Sequence, residues 1–193
     1  MTLIKSNLIN FLEGVNDLWM VTVMGVFEAI KTRRSIRRYK EDLIDEETLR
    51  KVLEAARLAP SAANRQPWRF IVVTDPIVKR SLRKAYDKEW FTSAPVIVVA
   101  CAVPEEAWVR RDGEEYWKVD VSIAMQNLVL AAWDEGLGTC WIGAFDENEA
   151  KQALGVPPNV RIVAMTPLGY PAETKGPVSN RKPLSEIVHY NHW

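Results

Sequence analysis

Four arginines and one serine fall within the ten residues KTRRSIRRYK, which span residues 31–40. The arginines stand at i, i+1, i+4 and i+5 near the end of a predicted helix, where such spacings share neighbouring faces: Arg33, Arg34, Arg37 and Arg38. Guanidinium groups beside a short hydroxyl, here that of Ser35, are donors suited to a phosphate group. The stretch therefore predicts an anion site, although a solvated basic surface would explain the same residues.

The charge of the whole chain limits which anion this cluster could bind. The 193 residues include 25 Lys+Arg and 25 Asp+Glu, so the net charge is zero. A neutral chain has no long-range field to attract nucleic acid or an anionic membrane. No apolar run reaches the roughly 18 residues of a membrane span. We therefore expect neither nucleic acid nor membrane as a partner, and a small local anion instead.

Two further stretches have compositions that suit contact with a ligand. In APSAANRQPWRF, residues 59–70, small residues precede Asn64 and Gln66, whose amides both donate and accept hydrogen bonds. In GLGTCWIGAF, residues 136–145, Gly143 follows a predicted strand and permits close backbone approach with its N–H free. A plain helix-to-strand connection and a turn glycine are the alternatives.

Side chains that could catalyse a reaction by themselves are scarce. His189 and His192 both lie in the C-terminal tail, and the chain has no nucleophile elbow, Walker loop, GxGxxG or metal signature. Cys101 and Cys140 are too few for a disulfide framework and favour a reducing, cytoplasmic location. If the protein is an enzyme, a cofactor should carry the chemistry.

The elements that would position these residues predict a single α+β domain. The predicted order is a short helix ending at the arginines, a helix 46–58, a strand 69–75, a helix 76–86, a strand 94–103, a helix 117–135, a strand or strand end 139–145, a helix that begins at the capping pair Asp146 and Glu149 and ends at Gly155, and a strand 160–170. The helix 117–135 is apolar around most of its circumference, which predicts burial on several sides, partly against a second subunit.

The first 23 residues are predicted to lie outside this domain, which would span residues 24–193. Polar residues interrupt the apolar ones, which is a poor match to a signal peptide and favours an amphipathic helix. Such a segment could pack on the domain or on a partner chain, or it could be upstream sequence that is not translated.

The chain resembles the FMN-dependent nitroreductase family in four stretches that occur in this order: RRSIRRY, APSAANRQPWRFIVV, DVSIAMQNLVLAA with GLGTCWIGAF, and RKPLSEIV. The resemblance covers residues 24–193. It implies a sandwich in which helices flank a central, mostly antiparallel sheet. It also implies a domain-swapped type of homodimer with two FMN molecules at the subunit interface.

The resemblance also implies roles for individual residues. It assigns the FMN phosphate to Arg33, Arg34, Ser35, Arg181 and Lys182. It assigns the flavin ring to Arg37, Pro60, Ser61, Ala62, Asn64, Gln66, Trp141, Ile142, Gly143 and Ala144. Arg37 would reach the pyrimidine edge, the Gly143 N–H would face N5, and the partner subunit would supply the loop that includes Asn64. Gln66 could support that loop instead of touching the flavin.

The implied reaction is ping-pong hydride transfer from NADH or NADPH, through flavin N5, to a nitroaromatic, quinone or similar acceptor. The alternatives are a reductive dehalogenase, a flavin-cleaving enzyme of the same family, or a non-catalytic FMN store or sensor. Four aromatic residues could line the substrate mouth or pack in the core: Trp90, Phe91, Trp108 and Trp117.

Overall fold

The structure, a computed structural model, describes residues 24–193, so the helix predicted within residues 1–23 lies outside the described residues. The described residues form seven α-helices and four strands. The helices are α1 Val26–Thr32, α2 Glu46–Arg57, α3 Pro76–Ser81, α4 Glu89–Ser93, α5 Trp117–Asp134, α6 Glu147–Leu154 and α7 Leu184–Ile187. The strands are β1 Trp68–Val73, β2 Val96–Ala102, β3 Gly138–Thr139 and β4 Arg161–Gly169.

The four strands form one antiparallel sheet in the order β1-β2-β4-β3. Every residue of β2 is buried, as predicted for a covered central strand. Its side chains alternate between two layers: Ile97 packs in a cluster with Leu82 and Phe91, and Val98 packs in another with Leu128 of α5. Helices therefore cover both faces of the sheet, and the predicted α+β architecture is confirmed.

Local capping signals set the ends of two helices where the sequence predicts them. The Asp45 carboxylate accepts a hydrogen bond from the Thr48 N–H at 2.8 Å and begins α2. Gly155, at φ 65°, ends α6 in the left-handed conformation.

Burial of α5 among residues 24–193 is only partial, because Val119 and Ile123 are 43% and 37% exposed on its outer face.

The strand predicted over residues 139–145 is wrong in extent. β3 has two residues, and pairing with β4 resumes only at the bridge between Ile142 and Met165. The register is the same on both sides of the gap, and Pro167 of β4 lies within it. Because proline has no N–H to donate, the ladder breaks at this position.

A side-chain hydroxyl takes the place of the missing ladder bonds. The Cys140 N–H donates to Thr166 Oγ1 at 3.1 Å, and that hydroxyl donates to the Pro167 carbonyl at 2.9 Å. Thr166 is fully buried. The hydroxyl therefore satisfies two backbone groups and sets the path of the chain into residues 141–144.

The arginine-rich segment runs along the sheet as extended chain and not as helix. α1 ends at Thr32, so the prediction that the arginines share helical faces is wrong. The Ile36 N–H donates to the Thr139 carbonyl at 2.8 Å, and the Lys40 N–H donates to the Tyr170 carbonyl at 2.9 Å. These bonds attach residues 33–40 to the edge formed by β3 and the end of β4.

Two charged side chains after β4 hold the same segment from the other direction. The Arg37 N–H donates to Glu173 Oε1 at 2.6 Å, and Lys175 Nζ donates to the Ser35 carbonyl at 2.6 Å. The two side chains also form an ion pair at 3.2 Å. The hydrogen bond from Arg37 is the main reason that the pKa of Glu173 lies below its ordinary value.

Replacing Thr166 by valine should lower the free energy of unfolding by about 2–6 kcal/mol, because two buried backbone groups each lose a hydrogen bond. Thr166→Ser keeps the hydroxyl and should lose only about 1 kcal/mol for the missing methyl group. Urea unfolding of both variants measures the difference. A valine variant as stable as the serine variant would show that the hydroxyl does not bridge the gap.

Replacing Glu173 by glutamine should destabilise the protein at neutral pH but not in acid. A carboxyl whose folded pKa is depressed contributes stability above its unfolded pKa, near 4.5, and that contribution is lost as the pH falls through the folded pKa. The difference in unfolding free energy between wild type and Glu173→Gln should therefore be constant near pH 7 and shrink below pH 4.5. Thermal melts across this range measure it, and a difference independent of pH would contradict it.

Candidate functional site

Three arginines with no acidic partner lie together beside the sheet edge. Arg33 and Arg34 are half-buried, whereas Arg181, in the tail, is exposed. None of the three forms an ion pair with a carboxylate of residues 24–193. Burial first, and then the charge of Arg181, lowers the pKa of the Arg33 guanidinium below its ordinary value. The structure thus gathers positive charge that an anion would neutralise.

The surroundings of this cluster supply further donors. Within residues 24–193 the Ser35 carbonyl accepts from Lys175, while no hydrogen bond uses the Ser35 hydroxyl. Lys182 follows Arg181 and is also exposed. The residues predicted for a phosphate are therefore a set of charged and hydroxyl donors without acceptors in the described part of the chain.

Arg37 lies further along the same segment, with its side chain against an aromatic ring. Its guanidinium carbon is 5.6 Å from the centre of the Trp90 ring, a cation–π distance. Trp90 lies on α4, a five-residue helix that the sequence analysis does not predict. The contact with Trp90 orients the positively charged guanidinium of Arg37.

Residues 141–144 follow β3 after Cys140 and lie next to the arginine segment. Ile142 is buried, whereas Gly143 and Ala144 are exposed. Trp141 is also exposed, with a relative exposure of 39%. Among residues 24–193, a Cβ at residue 143 would meet only the Trp141 ring nitrogen, at 3.8 Å, so packing among these residues does not require the glycine. No acceptor within residues 24–193 bonds the Gly143 N–H. This backbone donor is available to a ligand.

The loop from Pro60 to Gln66 is held in an unusual conformation. Three of its non-glycine residues have positive φ angles: Ala63 at 50°, Asn64 at 53° and Gln66 at 51°. Such strain is concentrated at functional sites in proteins. The Gln66 side chain donates to the Asn64 carbonyl at 3.1 Å and so supports the loop from within.

The chain brings the predicted residues together in two groups. Residues 33–37, 141–144 and 181 meet at the sheet edge, where Ser35 pairs with Thr139. No hydrogen bond or ion pair within residues 24–193 joins that group to the loop 60–66. The loop contacts α5 instead, through a hydrogen bond from the Ala62 N–H to the Asp120 carboxylate at 2.9 Å.

Sequence reasoning missed three residues of these groups: Asp120, Glu173 and Lys175. Asp120 could have been found, because a carboxylate among the apolar residues of WKVDVSIAM is a rare buried charge. Glu173 gives no comparable local signal, because it lies 136 residues from the Arg37 that it binds. Of the four aromatic candidates, Phe91 and Trp117 are core residues, and Trp90 and Trp108 are half-buried.

Other chemistries find little support in the part of the chain that the structure describes. Residues 24–193 contain no group of three His, Cys, Asp or Glu residues that could hold a metal ion. Burial, the largest effect, raises the pKa of the Cys101 thiol to about 11, so it is a poor nucleophile at neutral pH. None of the helices in this range is both long and apolar enough to cross a membrane.

Comparison with known proteins places this chain in one family. The Nitroreductase family model matches residues 30–88 and 79–170. A nitroreductase family protein from Clostridium novyi NT is 41% identical, with a TM-score of 0.73 over 78% of this chain and 87% of that chain. The NADH dehydrogenase of Thermus thermophilus is 36% identical over 86% of this chain and 96% of that protein.

A third relative carries a cofactor in its name. The FMN-dependent nitroreductase of Clostridium difficile R20291 is 31% identical, with a TM-score of 0.71 over 86% of this chain and 98% of that chain. The matches cover the arginine segment, the loop 60–66 and residues 141–144. From the family model, the identities and the shared fold, the chain belongs to the nitroreductase family.

Proposed function

We propose that this protein binds FMN and is an oxidoreductase that takes hydride from NADH or NADPH. The observation that carries the proposal is the arginine cluster, Arg33, Arg34 and Arg181, which has no acidic partner in residues 24–193. A phosphate monoester matches that cluster in charge and in its demand for several donors. The FMN dependence named for the Clostridium difficile relative supports the choice of this phosphate compound.

Each group of residues would contact a different part of FMN. Arg33, Arg34, Ser35, Arg181 and Lys182 would hold the phosphate. Arg37 would bring a positive charge to the pyrimidine edge, where it would stabilise negative charge on the ring. Trp141, Ile142, Gly143 and Ala144 would lie along the ring, with the free N–H of residue 143 as a donor.

The loop with Pro60, Ser61, Ala62 and Asn64 would come from the second subunit of a homodimer. This assignment agrees with the absence of a hydrogen bond between the loop and the arginine cluster within residues 24–193. Exposed apolar side chains on α1, at the end of α2, on α5 and in the tail supply surface for such a dimer: Val26, Phe27, Leu58, Val119, Ile123, Leu184, Ile187 and Trp193. We propose residues 24–193 as the FMN-binding domain and residues 1–23 as an extension.

When bound, FMN would supply hydride acceptance from NADH or NADPH and hydride delivery to a nitroaromatic, quinone or similar acceptor, in ping-pong order. The side chains of this site need not act as nucleophiles and instead bind, orient and supply charge. The half-buried Trp90 and Trp108 would border the acceptor site. Free, buried Cys101 and Cys140 fit a reducing compartment such as the cytoplasm.

An anaerobic absorbance spectrum of the purified protein tests the function directly. The protein should show a flavin band, on its own or after addition of FMN, and NADH or NADPH should bleach it. A band that persists with both nucleotides would favour an FMN store or sensor. If FMN does not bind at all, the assignment of the arginine cluster to a flavin phosphate is wrong.

Replacing Arg33 or Arg181 by alanine should weaken FMN binding by about 10- to 100-fold, the effect of losing charge-assisted hydrogen bonds to a phosphate. Arg50→Ala, which removes an exposed arginine from α2, is the matched control and should leave the affinity unchanged. Flavin fluorescence titrations measure both variants.

Riboflavin provides a second control, because it is FMN without the phosphate. Its weaker binding should be the same for wild type and Arg33→Ala. Equal losses of FMN and riboflavin affinity in Arg33→Ala would place the arginine at another part of the ligand.

A further inference from the structure

Asp120 is a buried carboxylate in the middle of an apolar helix face. It is 1% exposed on α5, between the buried residues Trp117 and Ala124. Its Oδ1 accepts the hydrogen bond from the Ala62 N–H, while its Oδ2 has no partner. Among the described residues, Asp120 Oδ2 is the one buried side-chain nitrogen or oxygen atom that has no hydrogen-bond partner. A carboxylate is rarely buried without a specific task.

The loop that Asp120 contacts has few other attachments. Within residues 24–193, a single hydrogen bond joins residues 61–66 to other parts of the structure, and it is the bond from Ala62 to Asp120. All other hydrogen bonds of residues 61–66 connect two residues of the loop itself. Residues 63–66 are all exposed, and three of these four have positive φ angles. Neither side-chain packing nor backbone preference therefore keeps this loop in its conformation.

We propose that Asp120 is the positioning residue of the loop 61–66. Its buried carboxylate fixes the Ala62 N–H and so selects the left-handed conformation in which the loop meets the flavin ring. The link to flavin rests on the proposed function, whereas the positioning of the loop does not. The hydrogen bond needs an acceptor oxygen at residue 120, which asparagine also provides and alanine does not.

Trypsin cleavage after Arg65 measures the order of the loop in the protein without added flavin. Asp120→Ala should raise the cleavage rate at this exposed residue by about tenfold, because cleavage follows the population of the opened loop. Asp120→Asn should cleave at nearly the wild-type rate. Cleavage after Arg111, in a different exposed turn, is the internal control for general unfolding and should not change.

Titrations with FMN and riboflavin connect the loop to the ligand. Asp120→Ala should weaken both ligands about equally, by about tenfold, since a ring contact and not a phosphate contact is lost. This pattern differs from that expected for Arg33→Ala, which affects FMN alone.

An unchanged cleavage rate at Arg65 in Asp120→Ala would overturn the proposal, as would an Asp120→Asn variant that behaves like the alanine variant. Faster cleavage with unchanged affinity for both flavins would overturn the link between loop and ligand. If the wild-type protein binds no flavin, the proposed function fails, and the cleavage comparison alone decides whether Asp120 positions the loop.

Discussion

The close approach of Ile36 to Gly138 fixes the position of the arginine segment at the sheet edge. A Cβ atom on residue 138 would lie 2.8 Å from the Ile36 Cβ, and one on Gly169 would lie 2.7 Å from the Pro95 ring. Because Gly138 lacks that atom, Ile36 is buried at 1% exposure and the extended segment lies against β3, and the missing Cβ of Gly169 leaves room for Pro95 and the Tyr39 ring. The arginines flank Ile36 in sequence, so their placement follows from backbone packing in the sheet.

The packing of the arginine segment against the sheet brings together positive charges that have no acidic partner within residues 24–193. Several arginines elsewhere have carboxylate partners, as in Arg83 with Asp87 at 2.7 Å and Arg161 with Glu147 at 2.9 Å, and exposed arginines without one within residues 24–193, such as Arg50 and Arg80, lie in solvent. Arg33 instead lies near Arg181, and burial disfavours its charge further. In a chain with 25 basic and 25 acidic residues, positive charge is thus concentrated at one place without a field at long range. That arrangement suits a small anion better than a polyanion.

Structural features that depend on residues close together in the sequence could be predicted from it. The caps at Asp45 and Gly155, and the buried strand β2, follow from local residue types and were correct within one or two residues. The break after Thr139 could not be predicted from residues 139–145, because its cause is Pro167 in another strand. The hydrogen bond between Glu173 and the Arg37 backbone likewise requires the tertiary fold. The prediction of an arginine cluster rested on a helical spacing that the extended chain does not have, and the nearness of Arg33 and Arg34 to Arg181 depends on the tertiary fold.

In the loop 61–66, the cost of left-handed backbone is similar in size to the stabilisation from hydrogen bonds. This similarity explains why the loop suits a site that a ligand or a second subunit completes. Left-handed backbone costs about 1–2 kcal/mol for a residue such as Ala63 or Gln66, and less for Asn64. The hydrogen bond to the Asp120 carboxylate contributes about 1.5–3 kcal/mol, and that from the Gln66 N–H to Ser61 Oγ about 1 kcal/mol. With the backbone hydrogen bonds from Asn64 to Ser61 and from Arg65 to Ala62, these contributions exceed the cost by only about 1–2 kcal/mol, so the chain alone favours the conformation by a small margin. Contacts on the exposed side of the loop would then decide its order, and a ligand or second subunit that supplies them would bind and order the loop in one step.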